Sequence, residues 1–138
     1  MDDVVLNKAA VIQRCLQRVG EIHAGDDRNL IDDQTRQDAI VLNLLRACEA
    51  TIDLAMHLVR IHRIGVPQDS REAFDLLASA KLLDTDLAEI LKRMVGFRNV
   101  AVHDYTRLDL AIVRAIVVRH VADLDRFAAE SIRRHSGG

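Results

Sequence analysis

Aromatic residues, proline and glycine are all scarce in this sequence. Its 138 residues include three phenylalanines, one tyrosine, one proline, six glycines and no tryptophan. A β-sandwich or β-barrel needs more aromatic, threonine and turn residues than this. The rest of the composition, 49% hydrophobic and 29% charged, is typical of an all-helical domain. The length suits a single domain that can bury its own core.

Cysteine, long apolar runs and net charge are limited as well. The two cysteines, Cys15 and Cys48, are too few for a disulfide scaffold and lie in apolar helical stripes. The longest apolar runs are about four residues, far short of the ~18 that suggest a membrane span. This use of cysteine favours a reducing, cytoplasmic compartment. The N-terminus lacks the features of a signal peptide, and no membrane contact is expected. The net charge is −2, so any phosphate-binding surface must be local.

Hydrophobic residues recur at steps of three and four along most of the chain, which predicts amphipathic helices. Residues 1–133 are expected to form a single domain, an antiparallel bundle of four to five helices. Residues 134–138 are expected to form a disordered tail. The first predicted helix runs from about Asp3 to His23, and a polar loop from Gly25 to Asp33 follows it. Asp32 or Asp33 caps the second predicted helix, which ends near Ile64, and Ser70 caps the third, which runs through Leu83. Asp84 caps the fourth predicted helix, and Thr106 opens the fifth.

One position in the fourth predicted helix breaks the apolar pattern. Leu91 and Met94 belong to its inward stripe, and Arg98 occupies the next inward position, where an aliphatic residue is expected. A guanidinium keeps its proton, so its burial without a partner would cost several kcal/mol. The simplest explanation is a structural carboxylate, either Asp53 or Glu49, that pairs with Arg98.

The spacing of Arg98, His103 and Tyr105 favours a functional explanation instead. Arg98 and Tyr105 share a face of an ideal helix, whereas His103 is rotated well away from Arg98. For Arg98 and His103 to point into one site, the helix must bend or end there, or a second subunit must contribute. The structural alternative is that His103 complements the helix macrodipole and that Tyr105 packs its ring. Functional sites are often where a local rule is broken.

The segment from Met94 to Tyr105 resembles the signature of HepT-like proteins. These are the toxin half of HepT and MNT toxin–antitoxin pairs within the HEPN superfamily. The similarity extends through residues 37–40, 48–58 and 70–74 and covers essentially the whole chain except the tail. It implies an all-α homodimer of HEPN type with two-fold symmetry, in which the two motifs face each other in a cleft at the interface.

The resemblance implies a metal-independent RNA endonuclease, the toxin of a type VII toxin–antitoxin pair, with no cofactor. The chemistry of the residues agrees, because histidine supplies a base for the RNA 2′-hydroxyl and arginine a fixed cation for phosphate. His103 and Arg98 are the predicted catalytic residues. Asn99 is expected to position the phosphate or hold the turn. The family further implies that the MNT nucleotidyltransferase antitoxin AMPylates Tyr105; the alternative is that Tyr105 only packs or hydrogen-bonds phosphate.

Glu49 and Asp53 are the predicted supporting residues, on a polar line of the second helix. Asp53 and His57 are four residues apart and can form an orienting pair, although a solvated or ion-paired face is the commoner explanation. No metal site is predicted, since the cysteines are 33 residues apart and no His-Glu-x-x-His run is present. The competing function is a non-catalytic helical module that docks to a nucleotidyltransferase or binds its substrate.

Overall fold

The structure is a computed structural model that describes residues 2–135. Throughout that range the backbone is helical or forms short connections, and no strand is present. None of its helices is both long and apolar enough to cross a membrane. The α-helices are α1 (Asp3–His23), α2 (Arg28–Ile31), α3 (Gln34–His62), α4 (Ser70–Ser79), α5 (Thr85–His103), α6 (Leu110–Ala115) and α7 (Val121–His135). The predicted all-α bundle is confirmed.

Helices α1 and α3 are antiparallel and form the largest helix pair. Lys8, near the start of α1, contacts Asp53 late in α3, and Arg36, early in α3, donates to the Ile22 carbonyl at the end of α1. Helix α7 packs on α1, α3 and α5, and α4 packs on α3 and α5. One fully buried side chain from each of five helices illustrates the shared core: Ile12, Leu44, Phe74, Leu91 and Leu124.

Capping residues explain most of the helix boundaries. The carboxylate of Asp33 accepts from the Arg36 N–H and begins α3, as predicted. Helix α4 begins with Asp69 as its cap, one residue before the predicted Ser70, and ends at Ser79 rather than Leu83. It stops early because Lys81 adopts a left-handed backbone conformation with φ 60°. The loop predicted after α1 also contains the short helix α2.

The segment after α5 is more divided than the predicted fifth helix. Tyr105–Arg107 forms a 3₁₀ turn, and the Asp109 carboxylate then caps α6 by accepting from the Ala111 N–H. A π-helical turn, Ile116–His120, joins α6 to α7. The predicted disordered tail is wrong for Arg134 and His135, which belong to α7, and residues 136–138 lie outside the described range.

Candidate functional site

Helix α5 carries Arg98 and His103 on one uninterrupted stretch of backbone. It ends immediately after His103, where the Asp104 N–H donates to the Val100 carbonyl at 2.8 Å. A helix turns by about 100° per residue, so side chains five positions apart point roughly 140° away from each other. The structure therefore shows no bend that would turn Arg98 and His103 into one site. The helix end, the second option, follows His103 and does not reorient it.

Arg98 lies between α5, α3 and α4 with 23% of its side chain exposed. Its Nη1 atom is 3.7 Å from the Glu49 carboxylate, and its Nη2 donates to the Ser70 hydroxyl at 3.3 Å. The Nε–H is buried and has no hydrogen-bond partner within residues 2–135. A guanidinium carries five N–H donors, and Arg98 uses one of them in a hydrogen bond. This arrangement fixes the cation and leaves donors for an anion.

The two predicted supporting carboxylates have different partners. Glu49 contacts Arg98, but Asp53 accepts from Lys8 of α1 at 3.0 Å. The predicted pair of Asp53 with His57 does not form. Instead, His57 Nε2 lies 2.7 Å from the carboxylate of Asp2, the capping residue of α1, and this contact lowers the pKa of Asp2. His57 therefore fastens the start of α1 to α3.

His103 and Asn99 show no side-chain contacts that assign them a role. His103 is exposed in the last turn of α5, and no side chain of the described part of the protein forms a hydrogen bond or ion pair with it. Its position in the last turn suits the helix macrodipole, and its side chain is open to solvent. Asn99 is half-buried. The predicted roles of both residues stay predictions.

Tyr105 is the first residue of the 3₁₀ turn, and its hydroxyl donates to the Asp38 carboxylate on α3 at 2.5 Å. Burial and the carboxylate of Asp38 together raise the pKa of Tyr105 to about 12. The residue is nonetheless 42% exposed, at the edge of a cavity of about 270 Å³. Asp38 was not among the predicted site residues. The only signal for it was its place in the segment 37–40 that resembles HepT-like proteins.

Other chemistry finds little support in the described part of the chain. No three His, Cys, Asp or Glu side chains of residues 2–135 come together as a metal site. Burial raises the pKa of the Cys48 thiol to about 12, so this cysteine stays protonated near neutral pH and is a poor nucleophile. The segment from Arg98 to Tyr105 and the side chains around it are therefore the candidate site.

Comparison with known proteins agrees with the sequence signature. The family described as ribonuclease HepT-like matches residues 12–131. The chain is 46% identical over 127 residues to the mRNA nuclease HepT of Shewanella oneidensis, covering 92% of this chain and 95% of that protein. It is also 33% identical over 88 residues to a putative RNase of Archaeoglobus fulgidus, covering 64% of this chain and 66% of that one.

Solved structures give the same result at the level of the fold. The chain superposes with a TM-score of 0.90 on a tri-AMPylated HEPN toxin of Shewanella oneidensis in complex with MNT antitoxin. The two chains are 44% identical, and the match covers 98% of this chain and 100% of that one. A toxin–antitoxin structure with AMP-PNP also has a TM-score of 0.90, at 42% identity, covering 97% of this chain and 100% of that one. The family match, the sequence identity and the shared fold cover nearly the same residues. The chain is therefore a member of the HepT-like ribonuclease family.

Proposed function

We propose that this protein is an RNA endonuclease and the toxin of a toxin–antitoxin pair, acting in the cytoplasm. The observation that carries the proposal is the end of α5, where a fixed, incompletely hydrogen-bonded Arg98 precedes an accessible His103. The 46% identity to an mRNA nuclease supports RNA as the substrate. Arg98 and His103 are the proposed catalytic residues, with Glu49 and Asn99 in support.

The proposed reaction needs one base and one cation. His103 takes the proton of the RNA 2′-hydroxyl, and the 2′-oxygen attacks the adjacent phosphorus. The bond from phosphorus to the 5′-oxygen breaks, which leaves a 2′,3′-cyclic phosphate on one product. The departing 5′-oxygen takes up a proton and becomes a hydroxyl. Arg98 stabilises the negative charge that develops on the phosphate oxygens, so both catalytic groups are side chains and the step needs no metal ion.

We place the complete site between two copies of the chain. Arg98 and His103 of one chain point about 140° apart on a continuous helix. A two-fold symmetric homodimer resolves this, because Arg98 of one copy can then lie beside His103 of the other. Each dimer would contain two such sites.

Mixing two inactive variants tests both the residues and their arrangement. Arg98→Ala and His103→Ala should each abolish RNA cleavage while the helical content stays unchanged. If the sites are shared, each mixed dimer contains one site with both residues intact. When equal amounts of the two variants exchange subunits at random, about half of the dimers are mixed and each has one intact site of two, so roughly one quarter of the wild-type activity returns.

The control for this experiment is His120→Ala, which removes a histidine that pairs with Asp123 at 3.0 Å. It should cleave RNA like the wild type. Cleavage by both single variants would contradict the catalytic assignment. Two inactive variants that stay inactive after mixing and reassortment would place both residues of each site on one chain.

We further propose that a nucleotidyltransferase antitoxin of MNT type modifies Tyr105 with AMP. The similar HEPN toxin in complex with MNT antitoxin is tri-AMPylated, and Tyr105 is this chain's single tyrosine. The Tyr105 oxygen attacks the α-phosphorus of ATP, the bond to the β-phosphate oxygen breaks, and pyrophosphate leaves. Asp38 accepts the phenolic proton. The added phosphate places negative charge beside the site and repels RNA.

Intact-mass measurement after incubation with the antitoxin and ATP tests this modification. The wild type should gain mass in steps of one adenylyl group, and Tyr105→Phe should gain none. The same gain in Tyr105→Phe would show that another residue is modified, and an unchanged wild type under conditions where the antitoxin is active would refute the proposal.

A further inference from the structure

A groove between α1 and α3 lies next to the proposed site, and apart from Glu49 its residues take no part in the reaction described above. Its volume is about 540 Å³. Four cationic side chains line it from both helices, together with two carboxylates. These six residues, Lys8, Arg14, Arg18, Arg46, Glu49 and Asp53, define the α1–α3 groove.

The carboxylates of the groove already have cationic partners. Asp53 accepts from Lys8 at 3.0 Å, and Glu49 lies 3.7 Å from Arg98, which is outside the groove. Arg14 and Arg46 are exposed and have no carboxylate partner within residues 2–135. Arg18 pairs with Glu21 at 3.2 Å, so the uncompensated positive charge of the groove is that of Arg14 and Arg46. The net charge of the whole chain is −2, so this positive charge is local.

Glu49 connects the groove to the proposed catalytic cation. It belongs to the wall of the groove and also contacts Arg98. Arg46 is three residues before Glu49, on the same face of α3. A strand bound at Arg46 therefore lies on the face of α3 that also contacts Arg98, and Arg98 compensates the negative charge of Glu49 between them.

The remaining lining indicates which part of a nucleic acid the groove fits. Val11, Cys15 and Ala50 are apolar, the Asn43 amide donates to the Ala39 carbonyl, and no aromatic ring on which bases could stack is present in this lining. Exposed guanidinium groups bind phosphate oxygens in pairs of hydrogen bonds. Contacts of this kind position a strand without reading its sequence.

We infer that the α1–α3 groove binds the phosphodiester backbone of the RNA substrate, with Arg14 and Arg46 as positioning residues that guide the strand to Arg98. The inference rests on the proposed ribonuclease function and adds a substrate subsite to it. It accounts for two unpaired arginines on a surface that the catalytic step does not use.

The test is the double variant Arg14→Gln/Arg46→Gln, with Arg119→Gln/Arg133→Gln as the control. The control removes two exposed arginines elsewhere and changes the net charge equally. For a single-stranded RNA oligonucleotide, losing two exposed ion pairs should raise KM roughly 2- to 30-fold while kcat stays unchanged. The slope of log affinity against log salt should become shallower by about 1.4, since each single-strand phosphate contact contributes about 0.7. The control should match the wild type in both measurements.

Binding measured in a His103→Ala background separates this inference from the proposed function. Fluorescence anisotropy of labelled RNA then reports the groove without cleavage. If Arg14→Gln/Arg46→Gln weakens RNA binding but the wild type never cleaves RNA, the groove inference is supported and the proposed ribonuclease function is refuted. Cleavage with KM and salt slope unchanged by Arg14→Gln/Arg46→Gln would refute the groove alone. If Arg14→Gln/Arg46→Gln loses antitoxin binding or dimerisation but still binds RNA like the wild type, the groove is a protein interface and the inference is overturned.

Discussion

The contact between Tyr105 and Asp38 makes a direct prediction about the titration of a single group. Asp38→Asn keeps the size of the side chain but replaces the carboxylate by a neutral amide. In the wild type, the Asp38 carboxylate accepts the hydrogen bond of the Tyr105 hydroxyl and opposes a second negative charge beside it. Without it, the phenolate should form at lower pH.

The expected magnitude follows from the two causes of the shift. Burial and the Asp38 carboxylate together raise the pKa of Tyr105 from 10.0 to about 12. The substitution removes the effect of the carboxylate and leaves that of burial. The variant should therefore titrate between these two values. It should also slow AMP transfer by about 10²- to 10⁴-fold, the usual contribution of a general base, because the phenolic proton loses its acceptor.

Phenolate absorbance measures this titration without interference, because the chain has one tyrosine and no tryptophan. Rapid mixing into alkaline buffer allows the reading before the protein unfolds. Asp32→Asn, an exposed carboxylate outside this contact, is the control for the loss of one negative charge. A wild-type midpoint near 10, or a midpoint that Asp38→Asn leaves unchanged, would refute the reasoning.

Two further predictions concern stability. Burial and the neighbouring His135 lower the pKa of His62, so the unfolded state takes up a proton first, and the free energy of unfolding should fall as the pH drops below about 6.5. Urea titrations at several pH values should show a smaller fall in His62→Gln; an equal fall would contradict this assignment. Gly96→Ala should raise the free energy of unfolding by up to ~1 kcal/mol, because its Cβ meets only the mobile end of Arg71, at 3.2 Å. Thermal unfolding of the two variants Gly96→Ala and Gly20→Ala measures this, and Gly20→Ala is the control because its added Cβ meets nothing within 4 Å. If Gly96→Ala lowers the free energy of unfolding and Gly20→Ala does not, Arg71 cannot move aside and the prediction is wrong.

Long amphipathic helices were predictable because their apolar residues repeat over many turns. Helix α1 matches its predicted bounds from Asp3 to His23. The four-residue α2 and the turns around Tyr105 are too short to show a period. A local cap or turn determines such segments, and competing local signals are hard to rank from sequence.

The exceptional position of Arg98 was also predictable, because a charge interrupts an apolar stripe. Its partner was not, since Glu49 and Asp53 are four residues apart on one face of α3 and only the packing of α5 and α1 selects between them. The contact of Tyr105 with Asp38 joins residues 67 positions apart. Contacts of this kind depend on the tertiary arrangement and leave no spacing pattern in the sequence.

The most direct test of the account is RNA cleavage by purified protein in the presence of a metal chelator. The wild type should cleave RNA and leave a 2′,3′-cyclic phosphate, whereas His103→Ala, prepared in the same way, should leave the RNA intact. Equal cleavage by the two preparations would contradict the central role of His103. Intact RNA in both would favour the docking-module alternative, in which this helical chain only binds a nucleotidyltransferase.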